Sequence, residues 1–139
     1  MRPIDASDAV LAANRRFYEA FEARNMDAMS DLWERSARST CTHPGWATLR
    51  GWGSIAASFF ALFQNDGHMQ FVLTEERAEV VGDMAWVSVD ENLLGDQSGA
   101  TIAAVNIFVR PLRVGGDAPW RLVCHHGSIV NHSIVQEGP

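Results

Sequence analysis

Cys41-Thr42-His43-Pro44-Gly45-Trp46, followed after a short gap by Gly51-Trp52-Gly53 and an apolar run, is the stretch on which the fold turns. Ser39 to His43 reads as a short strand that Pro44 and Gly45 terminate, since proline cannot donate to a ladder and glycine favours a turn. From Gly53 or Ser54 a helix is expected to run to about Gln64. Ile55, Phe59, Leu62 and Phe63 fall on one stripe, widened by Ala56 and Phe60, and Asn65-Asp66-Gly67 closes it. Upstream, Val10, Phe17, Ala20 and Phe21, with Ala13 between, recur every three or four residues. This predicts an amphipathic helix over 7–24 with Ser7 or Asp5 as its N-cap. Asn25 is expected to end it in the left-handed conformation, and Asp27 starts a second short helix through Met29, Leu32 and Trp33.

Downstream the period changes to two near His68. Phe71 and Leu73 alternate with Gln70 and Thr74, and strands are expected over 75–81, 84–94, 101–113 and 120 to about 134. Val81-Gly82-Asp83 reads as a hairpin turn, while 95–99 and 115–119 read as longer loops. Helices first and consecutive antiparallel strands afterwards predict an α+β fold with the helices on one sheet face. In Ile102-Ala103-Ala104-Val105-Asn106-Ile107-Phe108-Val109 both alternating sets are apolar, so the sheet face turned away from the helices is expected to be covered too. A second copy of the chain is the simplest cover, which predicts a homodimer through the outer sheet face.

The chain has 139 residues, 47% hydrophobic and 20% charged, enough to bury one core, and a single domain over 1–139 is expected. A net charge of −6 with 11 basic residues and no basic cluster argues against nucleic acid and anionic membranes as partners. The start lacks a signal-like apolar run and no apolar stretch reaches spanning length, so a soluble cytoplasmic protein is expected. Cys41 and Cys124 follow no metal-ligand spacing and read as buried reduced thiols; neither metal nor cofactor is expected.

The His-Pro-Gly-Trp segment, the glycine opening the third helix, and Trp120-Arg121-Leu122-Val123-Cys124-His125-His126-Gly127-Ser128 together resemble the signature of SnoaL-like proteins in the nuclear transport factor 2-like superfamily. The resemblance implies a cone: three N-terminal helices packed on a strongly curved, mostly antiparallel sheet, with an apolar pocket inside and dimers formed through the outer sheet surface. Members include steroid isomerases, polyketide cyclases, dehydratases and binding modules. By loose alignment to the steroid isomerases, His43 falls where those enzymes carry a carboxylate base followed by proline, and Asn106 where they carry a protonated Asp that donates to the oxyanion. The Tyr that completes their oxyanion hole stands here as Phe17, with Tyr18 turned about 100° away around the helix.

A His and an amide facing one apolar cavity suffice for proton abstraction beside a carbonyl: neutral His43 takes the proton and Asn106 donates to the enolate oxygen. The same residues can instead anchor the polar end of a ligand, or serve only structure, His43 bonding a backbone carbonyl and Asn106 a bulged backbone. The pocket wall is expected from Phe17, Trp46, Phe59, Trp86, Phe108 and Trp120, whose rings are otherwise core mass. Of His125 and His126, which point to opposite faces, His126 shares a face with Trp120 and Leu122 by simple alternation and is expected to line the pocket. A zinc site from His43, His126 and Cys124 is conceivable on ligand type but has no support from spacing. His68 and His132 read as surface residues. Two functions compete: a module binding a small apolar, carbonyl-bearing ligand, and a cofactor-independent isomerase, cyclase or dehydratase with His43 as general base.

Overall fold

The computed structural model describes residues 5–65, 67, 69–95, 99–111 and 118–130. Helix α1 spans Ala6–Ala23, and the Asp5 side chain caps it by accepting from the Ser7 N–H at 3.2 Å. Its C-terminus departs from expectation. Arg24, not Asn25, adopts the left-handed conformation (φ 53°), because Asn25 is needed one step later as the N-cap of α2 (Met26–Leu32), its Oδ1 accepting from the Ala28 N–H at 3.0 Å. An amide oxygen satisfies an orphan donor that an arginine side chain cannot.

Strand β1 (Thr40–Thr42) is followed by β2 (Leu49–Arg50), a pair too short to show any periodicity in sequence. Helix α3 spans Trp52–Phe63 and starts after Gly51, whose φ of 85° suits glycine. Then come β3 (Met69–Val81), β4 (Met84–Gly95), β5 (Gly99–Val109) and β6 (Arg121–Ile129). Gly82 and Asp83 form the β3–β4 turn as expected. The expectations for His68, His132, the loop at 96–98, residues 112–117 and the strand end at 131–134 fall outside the described residues.

The strands form one sheet in the order β2-β1-β6-β5-β4-β3, antiparallel throughout except for the parallel pair β1–β6. The helices cover its concave face: Val10, Ala13 and Phe17 of α1, Met29 and Leu32 of α2, and Ile55 and Phe59 of α3 are buried against Ala85, Val87, Val89, Ala104, Phe108 and Leu122. The α+β cone inferred from sequence is therefore the fold. On β5, Ile102, Ala104, Asn106 and Phe108 are buried, whereas Val105 on the outer face is 41% exposed.

Two β-bulges decide which side chains enter the cone. In β3 the register shifts between Thr74 and Arg77, where Glu75 sits at φ 58°, and Glu76 comes to lie half-buried towards α1. In β6, Ile107 pairs with Cys124 but Phe108 with Leu122, so Val123 is the extra residue and the alternation is reset. Leu122 and His125 consequently both face inward, while His126 is exposed on the convex face. The expectation that His126 lines the cavity is corrected, because alternation counted from Trp120 does not survive the bulge.

Candidate functional site

His43 leaves the end of β1, and Pro44 lies against the sheet at Gly127. A Cβ at Gly127 would meet Ile102 Cγ2 at 3.0 Å and Pro44 Cγ at 3.4 Å, so this close approach depends on the glycine. The imidazole is buried edge-on to Phe59 and Trp46, with ring centroids 5.1 and 4.9 Å away. Its Nε2 is 2.9 Å from Ser58 Oγ, and Ser58 spends its single hydroxyl proton on the Ile55 carbonyl at 2.7 Å. His43 must therefore be the donor through Nε2–H, which leaves the lone pair on Nδ1, with the Cys41 thiol 3.9 Å away. Burial pushes the His43 pKa down to about 4, so the ring is neutral at neutral pH.

A longer network crosses the inner face of β4, β5 and β6. The Asn106 amide donates to Asn14 Oδ1 at 2.8 Å and to the Tyr18 hydroxyl at 3.1 Å, while its Oδ1 lies 2.5 Å from His125 Nδ1. With both amide protons used, Oδ1 can only accept, so His125 carries its proton on Nδ1 and its lone pair on Nε2. Tyr18 in turn donates to Glu91 Oε2 at 2.5 Å, and Asn14 to Glu76 Oε2 at 3.3 Å, where Arg15 closes the rim at 3.5 Å. Burial, with His43 and His126 adding repulsion, pushes the His125 pKa down to about 3. Burial pushes Glu91 up to about 7, against the pull of the Tyr18 hydrogen bond. The Tyr18 hydroxyl is held well above its usual value by burial first and by Glu91 second. The His43 and His125 rings are 6.3 Å apart.

His43 and Asn106 thus occupy the same concave side, linked through His125. Asn106 differs from its expected role: its donors serve Asn14 and Tyr18, and none is left for an oxyanion. Phe17, Phe59 and Phe108 are fully buried inside the cone. Trp46, 44% exposed, forms the rim over His43. Trp120 is buried, with the Arg110 guanidinium 4.3 Å above its ring, and it lines a groove of about 500 Å³ between α1, α2 and β6 that lies away from the imidazoles. Trp86 is a correction. Ala85, Val87, Val89 and Glu91 take the inward positions of β4, which turns Trp86 outward beside Ile107. Because His43 and His126 face opposite sides of the sheet, they cannot share a metal ion with Cys124. All 11 basic residues of this chain are arginines, so no lysine amine is available for imine chemistry.

Sequence reasoning missed Asn14, Tyr18, Ser58, Glu91 and His125. Asn14 and Tyr18, four residues apart, share the inner stripe of α1 with Ala13 and Phe17. Both Phe17 and Tyr18 are inside because they straddle the line where α1 meets the sheet, and the turn of about 100° between them is not enough to expel either. Glu91 keeps step with Val87 and Val89, a period-two signal that was available in the sequence. At the open end of the cone a cleft of about 260 Å³ is lined by Phe21, Leu62, Phe63, Met69 and Leu93, with Arg24 at its edge.

The profile of the SnoaL-like domain matches residues 10–132. The chain belongs to the SnoaL-like family. It is a nuclear transport factor 2-like protein, and its cone is shared by solved structures. A candidate dehydratase of the NTF2-like family from Streptomyces avermitilis is 34% identical, with 90% of this chain and 96% of that one covered and a TM-score of 0.81. A candidate association domain of calcium/calmodulin-dependent protein kinase type II from Thiobacillus denitrificans is 31% identical, covering 94% and 100%, with a TM-score of 0.76. The F-box protein SKIP8 of Arabidopsis thaliana is 25% identical over 122 residues, which is 88% of this chain and 50% of that protein. The chain spans about half the length of this curated relative.

Proposed function

We propose that the cone of this SnoaL-like chain binds a small apolar, carbonyl-bearing molecule with His43 at the polar end of the site. The observation that carries the reading is the pair of neutral imidazoles, His43 and His125, 6.3 Å apart, with Phe17, Phe59 and Trp46 packed against them. Each is fixed in one tautomer by a protein partner and keeps one ring-nitrogen lone pair, and a small number of fixed polar groups in an apolar surrounding is what small-molecule sites show.

In its catalytic form the same reading is cofactor-independent isomerase, cyclase or dehydratase chemistry. The carbonyl acidifies the adjacent C–H, His43 takes that proton on Nδ1 and returns it to another carbon or to a leaving oxygen, and Ser58 holds the tautomer. Asn106 is then a positioning residue that orients His125 and Tyr18. A direct test needs no knowledge of the substrate: binding of cyclohexenone followed by the Tm, and exchange of its α-protons for deuterium followed by NMR. Binding with exchange that is lost in His43→Ala supports the enzyme; binding with no exchange above buffer supports the module. No binding by any apolar ketone contradicts both.

We also infer a homodimer through the outer sheet face, where Val105 and Val72 are exposed and a shallow concavity of about 430 Å³ is lined by Arg77, Ser88, Asp90, His126 and Ser128. The similarity to the candidate association domain from Thiobacillus denitrificans supports assembly. Sedimentation at the monomer mass of 15.3 kDa contradicts it.

A further inference from the structure

Glu91 is the one carboxylate among the described residues that is almost fully buried, at 3% exposure, and its setting asks for a positive charge. On β4 it lies between Leu73 of β3 and Ile102 of β5, with Tyr18 of α1 over it. Tyr18 meets Phe71 at 5.2 Å and Phe71 meets Phe21 at 5.2 Å, so the carboxylate stands at the foot of a cluster of three rings. Leu93, two residues along β4 on the same face, and Phe21 both line the open-end cleft, which therefore borders this cluster at Phe21.

The hydrogen-bond directions sharpen the point. His43 Nε2–H, His125 Nδ1–H, both Asn106 amide protons and the Tyr18 hydroxyl are already donated to protein acceptors. Among these groups the His125 Nε2 lone pair and the second oxygen of the Glu91 carboxyl remain as acceptors, while the unpartnered buried donors among the described residues are the Nε1–H groups of Trp33 and Trp120. The groups facing Glu91 are Tyr18 from α1, Leu73 from β3 and Ile102 from β5; the Cys41 thiol of β1 also feels its charge, Glu76 of β3 acts on Tyr18, Arg15 is engaged with Glu76, and Arg24 lines the cleft. A buried carboxyl able to ionise beside aromatic rings suits a ligand group that donates hydrogens and carries a positive charge. Aromatic faces add cation–π attraction for the same group.

We propose that Glu91, with Tyr18, Phe21 and Phe71, is a binding site for the protonated amine of an otherwise apolar ligand. The inference rests on the cone being a ligand site and names the chemistry of one end of that ligand. The ammonium donates to Glu91, and the rings surround its apolar neck. Without ligand the burial of Glu91 is relieved by a proton, its pKa standing at about 7, so amine binding near neutral pH releases that proton.

The test compares three probes of nearly equal shape: phenethylamine, 2-phenylethanol and 3-phenylpropanoate. Titration calorimetry of the full chain in buffers of different ionisation enthalpy is expected to show the amine binding at least about tenfold more tightly than either other probe, with net proton release. Glu91→Gln, which keeps an acceptor for Tyr18, is expected to remove that preference while still binding the alcohol. Should Glu91→Gln not fold, amide chemical shifts of the unaltered protein decide instead: shifts centred on Tyr18, Phe71 and Leu93 support the site, and shifts centred on the Trp120 groove overturn it. Equal affinity for amine and alcohol, or a preference that survives Glu91→Gln, also overturns it. Failure of the amine while cyclohexenone binds sinks this inference alone; failure of all probes together sinks it along with the reading of the cone as a ligand site.

Discussion

The concave and convex faces of β4, β5 and β6 have similar apolar frames and treat polar side chains in opposite ways. Inside, Glu91, Asn106 and His125 are buried and joined into one directed network of hydrogen bonds that runs through Asn14 and Tyr18 of α1 and ends on the carboxyl groups of Glu76 and Glu91. Outside, Ser88, Asp90, His126 and Ser128 lie around an open concavity and leave Val105 exposed. The inner polar groups cost desolvation that only a fully satisfied network offsets, whereas the outer ones cost nothing until another surface arrives. Inner substitutions should therefore act on stability and ionisation, and outer ones on assembly.

The largest effect is expected at Asn106. Replacing it with Leu leaves the His125 Nδ1–H, the Asn14 carbonyl and the Tyr18 hydroxyl without their shared partner, at a cost of about 3 kcal/mol or more in chemical denaturation. A loss below about 1 kcal/mol would mean that the network is not formed in solution.

Glu91→Gln is next, and its effect depends on pH. Burial lifts the Glu91 pKa from 4.5 to about 7, so between those values the unfolded chain loses a proton that the folded chain retains. The Glu91 contribution to stability therefore falls as pH rises through that window. Glutamine does not titrate, so the variant is expected to gain on the order of 2 kcal/mol over the parent above about pH 7, and to match it at about pH 4. A Tm difference that does not change with pH breaks the contrast between the two faces.

Gly127→Ala places a methyl 3.0 Å from Ile102 Cγ2 and 3.4 Å from Pro44 Cγ. It is expected to cost about 1 kcal/mol and to shift the His43 ring resonances, because Pro44 must give way. His126→Gln, one residue away but outside, should stay within about 0.5 kcal/mol of the parent at dilute concentration.

The fold was legible because long segments carry strong periods: the apolar stripe of α1, the stripe of α3 from Ile55 to Phe63, and the alternation of β3 to β5. What the sequence hid was parity. One extra residue at Val123 exchanged His126 for His125, and no propensity of Val123 announces a bulge. Trp86 was drawn inward by its aromatic character, although Ala85, Val87 and Val89 already set the inward phase of β4. Asn106 was identified as a buried polar residue in need of a partner, and that partner proved to be the protein itself. On an isolated helix the angle of Tyr18 turns it away from the Phe17 face, whereas the sheet curves around α1 and receives residues from a wide arc. In each case the missing information was tertiary: bulge position, sheet curvature and hydrogen-bond direction.

The central claim is that the cone holds two neutral imidazoles in opposite tautomers. Long-range ¹H–¹⁵N correlation spectra of the histidine rings across about pH 5 to about pH 8 test it most directly, since ring nitrogen shifts separate the tautomers and the cation. The structure predicts a His43 protonated at Nε2 and a His125 protonated at Nδ1, both unchanged over that range, because their pKa values are held at about 4 and about 3. A His43 or His125 that becomes doubly protonated near pH 6.5, or that shows both tautomers, would contradict the account.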